Sequence, residues 1–248
     1  MKLCPLFLMK LINNSNGGNI MDYIKERQDI VNYGKKLVDE HLTTGTGGNL
    51  SIYIPEDKKM LISPSGIPYY DTKPEDVVVM DLDGNILEGN CKPSSEWEMH
   101  SMFYRHDSGV KSVVHAHSDY ATACSTLHMN IPALHYAAAD ATKSIKTTEY
   151  KIYGSHEIAE EAYKVMDNNH GILLANHGLL ANGSSIKRAM ATAVTIEWLC
   201  KLFVLAKSAG NPHPLSDEQL DAVAKKFENY GQTDETKEQI QVDIKKHN

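Results

Sequence analysis

Cysteine is scarce in this sequence, and the four that occur are far apart. Cys4, Cys91, Cys124 and Cys200 form no CxxC pair. Closely spaced cysteines are the usual sign of a disulfide framework or of a thiolate zinc site. Neither is therefore expected, and a reducing compartment, the cytoplasm, is the expected location.

The sequence also lacks a dense run of basic residues and a membrane-spanning segment. Its 25 Lys and Arg residues against 32 Asp and Glu residues give a net charge of −7, which argues against nonspecific nucleic-acid binding. The apolar run at the N-terminus is interrupted by Lys10 and is too short to cross a bilayer. No small-residue cleavage site of a signal peptide follows it. We therefore expect neither nucleic acid nor a membrane as a partner.

No internal repeat or low-complexity segment divides the 248 residues, and 42% hydrophobic with 23% charged residues is typical of one soluble globular domain. The polar stretch INNSNGGN separates the N-terminal run from the first helical pattern. We therefore expect residues 1–20 to be a disordered extension or to precede an alternative translation start. Residues 21–232 are expected to form the domain, and residues 233–248 a polar tail.

Local patterns predict helices mixed with short strands. Apolar spacing predicts helices at about 22–41, 120–127, 156–168 and 184–209, and capping boxes predict helix starts at Ser95 and Ser216. Strands are predicted in NLSIYI, KMLIS, DVVVMDLDGNIL, KSVVHAH and ILLANHGLLAN, with Asp83-Gly84 as a hairpin turn. Hairpin-connected strands among helices, without regular βαβ alternation, predict a three-layer α/β/α fold with a central, largely antiparallel sheet covered by helices on both faces.

Two histidines in KSVVHAHSDY are the first sign of chemistry. Side chains two residues apart on a strand point the same way, so His115 and His117 can reach one ion. His177 in LLANHGLL is a candidate third ligand, because Gly178 could allow a sharp turn that pushes the imidazole out from the sheet. Three histidines with one open position are typical of catalytic zinc. A single histidine in an apolar strand, however, is usually only hydrogen-bonded.

A carboxylate and several turns offer further candidate groups. Glu96 in KPSSEWEMH lies beside two hydroxyl groups at a predicted helix start, where a phosphate could bind. The glycine-rich TGTGGN and the turn SPSGIP could each bring backbone N–H groups close to an anion. Each of these segments is equally typical of an ordinary helix start or turn.

In combination the motifs are specific. The segments GTGGNLS, SPSGIPY, KPSSEWEMH, VVHAHS, IPALHY, LLANHGLL and KFENYG occur in this order over residues 22–231. In this order and approximate spacing the chain resembles the class II aldolase and adducin family. The resemblance implies a zinc enzyme that cleaves a phosphorylated ketose to dihydroxyacetone phosphate and an aldehyde. It is strongest to the members that act on L-fuculose 1-phosphate and release L-lactaldehyde.

The resemblance also implies roles for individual residues. Zinc would be bound by His115, His117, His177 and Glu96, with Glu96 also serving as the acid/base residue. Tyr136 and Tyr230 would position the substrate and protonate the aldehyde oxygen. Members of the family form fourfold-symmetric homotetramers with active sites at subunit interfaces, so Tyr136 would act from a neighbouring chain. The substrate phosphate would be bound by Thr46, Gly48, Asn49, Ser65, Gly66, Ser94 and Ser95.

Several alternatives stay open. This chain reads HYAAADATKS where the fuculose phosphate enzymes commonly read HYMIAAAGG, so Asp140 replaces a glycine and the aldehyde part of the substrate is undetermined. Related enzymes act on 5-deoxyribulose 1-phosphate or methylthioribulose 1-phosphate as aldolases or dehydratases. Epimerases of the family usually carry aspartate at the position of Glu96. An adducin-like scaffold would need none of the ligands, and a purely structural zinc site usually favours cysteine.

Overall fold

The computed structural model describes residues 21–227, which form six α-helices and nine β-strands. The helices are α1 (Ile24–Asp39), α2 (Trp97–His106), α3 (Asp119–Ser125), α4 (His156–Met166), α5 (Ile186–Ala209) and α6 (Asp217–Phe227). The strands are β1 (Asn49–Ile54), β2 (Lys59–Ile62), β3 (Val78–Asp81), β4 (Ile86–Glu88), β5 (Ser112–Ala116), β6 (Ile131–Pro132), β7 (Ser144–Thr147), β8 (Gly171–Leu174) and β9 (Gly178–Gly183). Short 3₁₀ helices occur at Pro74–Asp76 and Tyr136–Asp140.

All nine strands belong to one sheet, in the order β4-β3-β2-β1-β5-β9-β8-β7-β6. Every neighbouring pair is antiparallel except β7 and β8, which run parallel. The predicted largely antiparallel sheet is confirmed. Helix α4 connects the parallel pair, as a parallel connection requires a crossover.

Helices cover both faces of the sheet. One hydrophobic cluster joins α1, α3, α5 and α6 to the sheet, and we call this side the first face. A second cluster joins α2 and α4 to the opposite side, the second face. Strand residues alternate between the two clusters, because successive side chains of a strand point to opposite sides. The predicted three-layer α/β/α fold is therefore confirmed.

Helix α5 is long and apolar enough, by composition, to cross a membrane. It packs instead across β9, β5 and α3, with Ala193 and Ile196 fully buried. A core helix of a soluble domain passes the same compositional test. The helix ends before Gly210, as predicted, and its N-cap Ser185 accepts a hydrogen bond from the backbone N–H of Arg188.

The two predicted capping boxes have different outcomes. At α6, Ser216 Oγ accepts from Gln219 N–H, and Gln219 Oε1 accepts from Ser216 N–H, so that box is confirmed. At α2 the predicted box is wrong: the N-cap is Glu96, without a side-chain cap. Glu98 is instead hydrogen-bonded to His156 Nδ1 at 2.6 Å, so its carboxylate is engaged with a residue of α4.

Candidate metal centre

Three neighbouring central strands bring the candidate ligands to one end of the sheet. Strand β5 ends at Ala116, while its antiparallel partners β1 and β9 begin at Asn49 and Gly178. His117 therefore leaves β5 at the same end at which His177 enters β9. The prediction that the side chains of His115 and His117 point the same way is confirmed, because their Nε2 atoms lie 2.8 Å apart.

Glu96 and the three histidines converge on one point. Glu96 Oε2 lies 3.3 Å from His115 Nε2, and Oε1 lies 3.6 Å from His177 Nε2. The ring of His117 is 4.7 Å from that of His115 and 5.0 Å from that of His177, centroid to centroid. One ligand atom from each of the four residues lies within 4.8 Å of all the others.

Hydrogen bonding and burial present the imidazoles as lone-pair donors. His115 Nδ1 donates to the backbone carbonyl of Leu179 at 2.8 Å, so its proton lies there and Nε2 faces the cluster with a lone pair. Burial, followed by the neighbouring His177 and His117, holds the pKa of His115 well below its ordinary value. Burial also lowers the pKa of His117 and of His177. Neutral imidazoles are the form that ligates metals.

The carboxylate of Glu96 supplies the strongest sign that an ion fits here. Its Oε1 is buried and has no hydrogen-bond partner among the described residues, although a buried charged oxygen without a partner is costly. That oxygen faces the imidazole of His177. A set of three nitrogens and one carboxylate oxygen suits a divalent transition metal. The four residues could therefore hold such an ion, which would satisfy Oε1.

Close backbone approaches set this geometry. A side chain at Gly48 would come within 2.6 Å of the His115 carbonyl oxygen, and one at Gly178 within 2.3 Å of the Ala116 carbonyl oxygen. These glycines therefore allow β1 and β9 to pass β5 closely. The predicted sharp turn at Gly178 is wrong: the left-handed residue is Asn176, with φ 54°, a conformation that asparagine tolerates better than most residues.

A cavity of about 310 Å³ opens beside the cluster. It is lined by Glu96, His117, His177 and every residue for which the resemblance implied phosphate binding: Thr46, Gly48, Asn49, Ser65, Gly66, Ser94 and Ser95. None of the described residues that line it is Lys or Arg. Two larger surface cavities, of about 570 and 600 Å³, contain neither Glu96 nor any of the three histidines.

Two backbone N–H groups at the start of α2 already have hydrogen-bond partners within the protein. The N–H of Ser94 donates to the Ser63 carbonyl, and the N–H of Glu96 donates to Ser94 Oγ. These two N–H groups at the helix start are therefore not available to a bound phosphate. The side-chain hydroxyls and the glycine-rich segments are left as the main donors to an anion in the cavity.

Of the two candidate tyrosines, Tyr136 is among the described residues, and it lies away from the cavity. Tyr136 is 53% exposed, and its ring lies tilted against that of His135 and contacts the ring of Phe227. It does not line the cavity. Tyr230 lies outside the described residues. Asp140 forms an exposed ion pair with Arg188, at 3.1 Å, and also stays outside the cavity.

Two residues near the site were not identified from the sequence. Tyr153 lines the cavity from the loop between β7 and α4, and no motif marks it. His100 is fully buried and hydrogen-bonds Asn49, which in turn contacts Glu96. Its position four residues after Glu96, one helical turn on, was the available signal.

Comparisons with known proteins place the chain in one family. The family model described as the class II aldolase and adducin N-terminal domain matches residues 28–204. A 5-deoxy-D-ribulose 1-phosphate aldolase of Bacillus thuringiensis serovar kurstaki is 44% identical, covering 84% of this chain and 98% of the relative. An L-fuculose phosphate aldolase of Escherichia coli K12 is 34% identical, covering 85% and 98%. A solved structure of an L-fuculose 1-phosphate aldolase superposes with a TM-score of 0.81 at 42% identity, covering 85% and 100%.

Proposed function

Because the chain belongs to the class II aldolase and adducin family, we propose that it is a zinc-dependent aldolase that cleaves a deoxyketose 1-phosphate to dihydroxyacetone phosphate and a short aldehyde. The observation that carries this proposal is the convergence of Glu96 with three neutral imidazoles beside a cavity lined with hydroxyl groups. An adducin-like scaffold would gain nothing from a buried carboxylate oxygen without a partner, because such an atom costs stability.

The metal ligands would be His115, His117 and His177, with Glu96 in the fourth position when no substrate is bound. Closed structural zinc sites usually have four protein ligands and favour cysteine, whereas three histidines with an exchangeable fourth position are typical of catalytic zinc. Bound zinc would supply Lewis-acid stabilisation of the negative charge that cleavage leaves on the substrate oxygens.

Glu96 would carry the proton of the reaction. Cleavage breaks the bond between the third and fourth carbons of the ketose, and the electron pair stays on the third carbon. A proton must then be delivered to that carbon, while the hydroxyl on the fourth carbon loses its proton to become an aldehyde. Glu96 as a residue is 6% exposed and lies at the cavity, so its carboxyl group can hold and move the proton on the third carbon away from bulk water.

The phosphate would lie against the hydroxyls of Thr46, Ser65, Ser94 and Ser95, with the backbone at Gly48 and Gly66. Because the described residues of the lining include neither Lys nor Arg, hydroxyl and N–H donors would hold the dianion. Asn49 can add one amide hydrogen, since Nδ2 carries two and one is directed at Glu96.

We propose further that the active enzyme is a homotetramer of the cytoplasm in which Tyr136 reaches the cavity of a neighbouring chain. The exposure of Tyr136 and its absence from the cavity of its own chain support this arrangement. Tyr136, together with Tyr230, would serve the aldehyde oxygen.

We infer 5-deoxyribulose 1-phosphate as the preferred substrate, which would yield acetaldehyde. The support is the identity of 44% to a relative named for that substrate, against 34% to the L-fuculose phosphate aldolase of Escherichia coli. L-Fuculose 1-phosphate is the second candidate, favoured by the TM-score of 0.81 and 42% identity to a solved enzyme named for it.

The test is release of dihydroxyacetone phosphate by the zinc-loaded protein from 5-deoxyribulose, L-fuculose and methylthioribulose 1-phosphates, each beside a chelator-treated control. Chelator-sensitive release with the highest kcat/KM for the 5-deoxyribulose compound is the expected result. A preference for L-fuculose 1-phosphate would change the substrate and keep the mechanism. Zinc-loaded protein that releases the triose phosphate from none of them would overturn the aldolase proposal in favour of the dehydratase or epimerase alternatives.

A further inference from the structure

A chain of buried hydrogen bonds runs from helix α2 to the candidate acid/base residue. Tyr104 OH lies 2.5 Å from Ser51 Oγ, which lies 2.7 Å from His100 Nδ1. His100 Nε2 lies 2.5 Å from Asn49 Oδ1, and Asn49 Nδ2 donates to Glu96 Oε2 at 2.9 Å. All five residues are buried, and His100 and Ser51 are fully so.

The donor in each bond follows from the chemistry of the groups. Asn49 Oδ1 can only accept, so His100 Nε2 carries a proton and donates it. His100 Nδ1 then accepts from the hydroxyl of Ser51, and Ser51 Oγ accepts from the hydroxyl of Tyr104. Burial lowers the pKa of His100 to about 3 and raises that of Tyr104, which is consistent with a neutral imidazole and a protonated phenol. Every donor in the chain therefore points towards Glu96.

We propose that His100 is a positioning residue for Glu96 and acts through Asn49. By holding Oδ1 of Asn49, His100 fixes the amide so that Nδ2 faces Oε2 of Glu96. That contact leaves Oε1 of Glu96 as the oxygen turned towards His177. The inference rests on the proposed role of Glu96 as the acid/base residue.

Without the hydrogen bond from His100, the side-chain amide of Asn49 would no longer be held in one orientation. An amide that turns over would direct Oδ1 at the carboxylate, and two oxygen acceptors repel each other at this distance. The same turn would remove the amide hydrogen that Asn49 can offer to the substrate. The carboxyl group of Glu96 would then lose its defined position although neither Glu96 nor a metal ligand had changed.

Three variants separate positioning from packing. His100→Phe keeps a ring of similar shape and removes both hydrogen bonds, whereas His100→Gln restores an N–H donor near the position of Nε2. Phe103→Leu changes another buried residue of the same helix, one that packs in the second-face hydrophobic cluster. We expect kcat of His100→Phe to fall about 10–100-fold, with a smaller change in KM and unchanged zinc content.

His100→Gln is expected to recover most of kcat, and Phe103→Leu to keep the wild-type kcat at an equal or larger loss of thermal stability. The inference is overturned if His100→Phe keeps its kcat per folded molecule. It is equally overturned if His100→Gln and His100→Phe lose the same activity, or if Phe103→Leu loses as much, because those results describe packing alone.

Nitrogen NMR of histidine-labelled protein gives a readout that needs no turnover. The expected tautomer of His100 carries its proton on Nε2 and is unchanged between about pH 6 and pH 9, in contrast to an exposed histidine. A proton on Nδ1 would overturn the inference, since Nε2 could not then donate to Asn49. If the wild-type protein releases no dihydroxyacetone phosphate, the proposed function fails; if it is active and His100→Phe is equally active, only the inference about His100 fails.

Discussion

The two faces of the three central strands β1, β5 and β9 differ in chemistry. On the first face these strands present only apolar side chains near the site: Leu50, Val114, Ala116, Leu179 and Ala181. On the second face the alternate positions carry Asn49, Ser51, His115 and Asn182 beside Val113 and Leu180. The same backbone and the same register thus support an apolar core on one side and a buried polar network on the other.

The two faces contribute differently to the stability of the fold and to the proposed function. Apolar burial on the first face contributes about 25 cal/mol for each Å² removed from water, and nothing there requires one particular side chain. On the second face each buried polar atom costs stability unless it has a partner. The network from Tyr104 to Glu96 provides such partners at every step except Glu96 Oε1. The single exception faces the histidine cluster, where a metal would satisfy it.

The largest expected effect comes from removing a proposed metal ligand on the second face. His117→Ala should abolish stoichiometric zinc binding and lower kcat/KM more than ~10⁴-fold, because substrate charge stabilisation is lost with the metal. Zinc content and aldolase activity of the purified protein measure this. His213→Ala, which changes an exposed histidine outside the cluster, is the control. Full zinc occupancy in His117→Ala would contradict the ligand assignment.

Glu96→Gln should have the next largest effect. Glutamine keeps the shape and can still accept the hydrogen bond from Asn49, but it cannot carry the proton, so kcat should fall about 10²–10⁴-fold while zinc is retained. Glu98→Gln, two residues further along the same helix start, changes a carboxylate that contacts His156 instead of the cluster. The role given to Glu96 is lost if both variants turn over at the wild-type rate.

A core substitution on the first face should reverse this pattern. Leu61→Ala removes a fully buried side chain of β2 and should lower the free energy of unfolding by about 2–5 kcal/mol. The kcat per folded molecule should stay near that of the wild type, because Leu61 faces away from the polar network. Denaturant unfolding and steady-state kinetics of the same sample test both parts. A tenfold loss of kcat would mean that the two faces are coupled.

The clustering of the three histidines could be predicted because its signal is local. His115 and His117 follow the alternation of a single strand, and His177 lies in a turn between two apolar runs that pair with each other. The sheet order could not be predicted in the same way. Strand β5 lies between β1 and β9, which come from distant parts of the chain, and no periodicity within a strand specifies its neighbour.

The errors have the same physical origin. Glu98, the predicted capping residue of α2, hydrogen-bonds instead to His156, which is 58 residues away in sequence. His100 makes its contacts with Asn49 and Ser51, which are 51 and 49 residues away. The glycine next to His177 suggested a turn, but its small size serves the close packing of β9 on β5 and the turn is made by Asn176. Local sequence identifies elements, whereas partners from other elements decide what their side chains do.

A smaller effect is expected at Ser51, the residue before His100 in the chain of buried hydrogen bonds that leads to Glu96. Ser51→Ala removes the hydroxyl between Tyr104 and His100, which leaves two buried polar atoms without this partner. The free energy of unfolding should fall by about 1–3 kcal/mol, and kcat should fall less than in His100→Phe because the donor to Asn49 remains. A larger kcat loss than in His100→Phe would reverse the order of importance along the chain.

The smallest expected effect lies outside both faces, at the ion pair of Arg188 with Asp140. Both side chains are more than half exposed, at 57% and 53%, and exposed ion pairs contribute about 0–1 kcal/mol because solvent screens them. Arg188→Ala should therefore change the unfolding free energy by less than about 1 kcal/mol. Its kcat on 5-deoxyribulose 1-phosphate should equal that of the wild type in a zinc-loaded assay. A changed kcat would mean that Asp140, the residue that departs from the family pattern, affects catalysis. Because Asp140 lies outside the cavity of its own chain, that result would indicate a contact with the cavity of a neighbouring chain in the proposed tetramer.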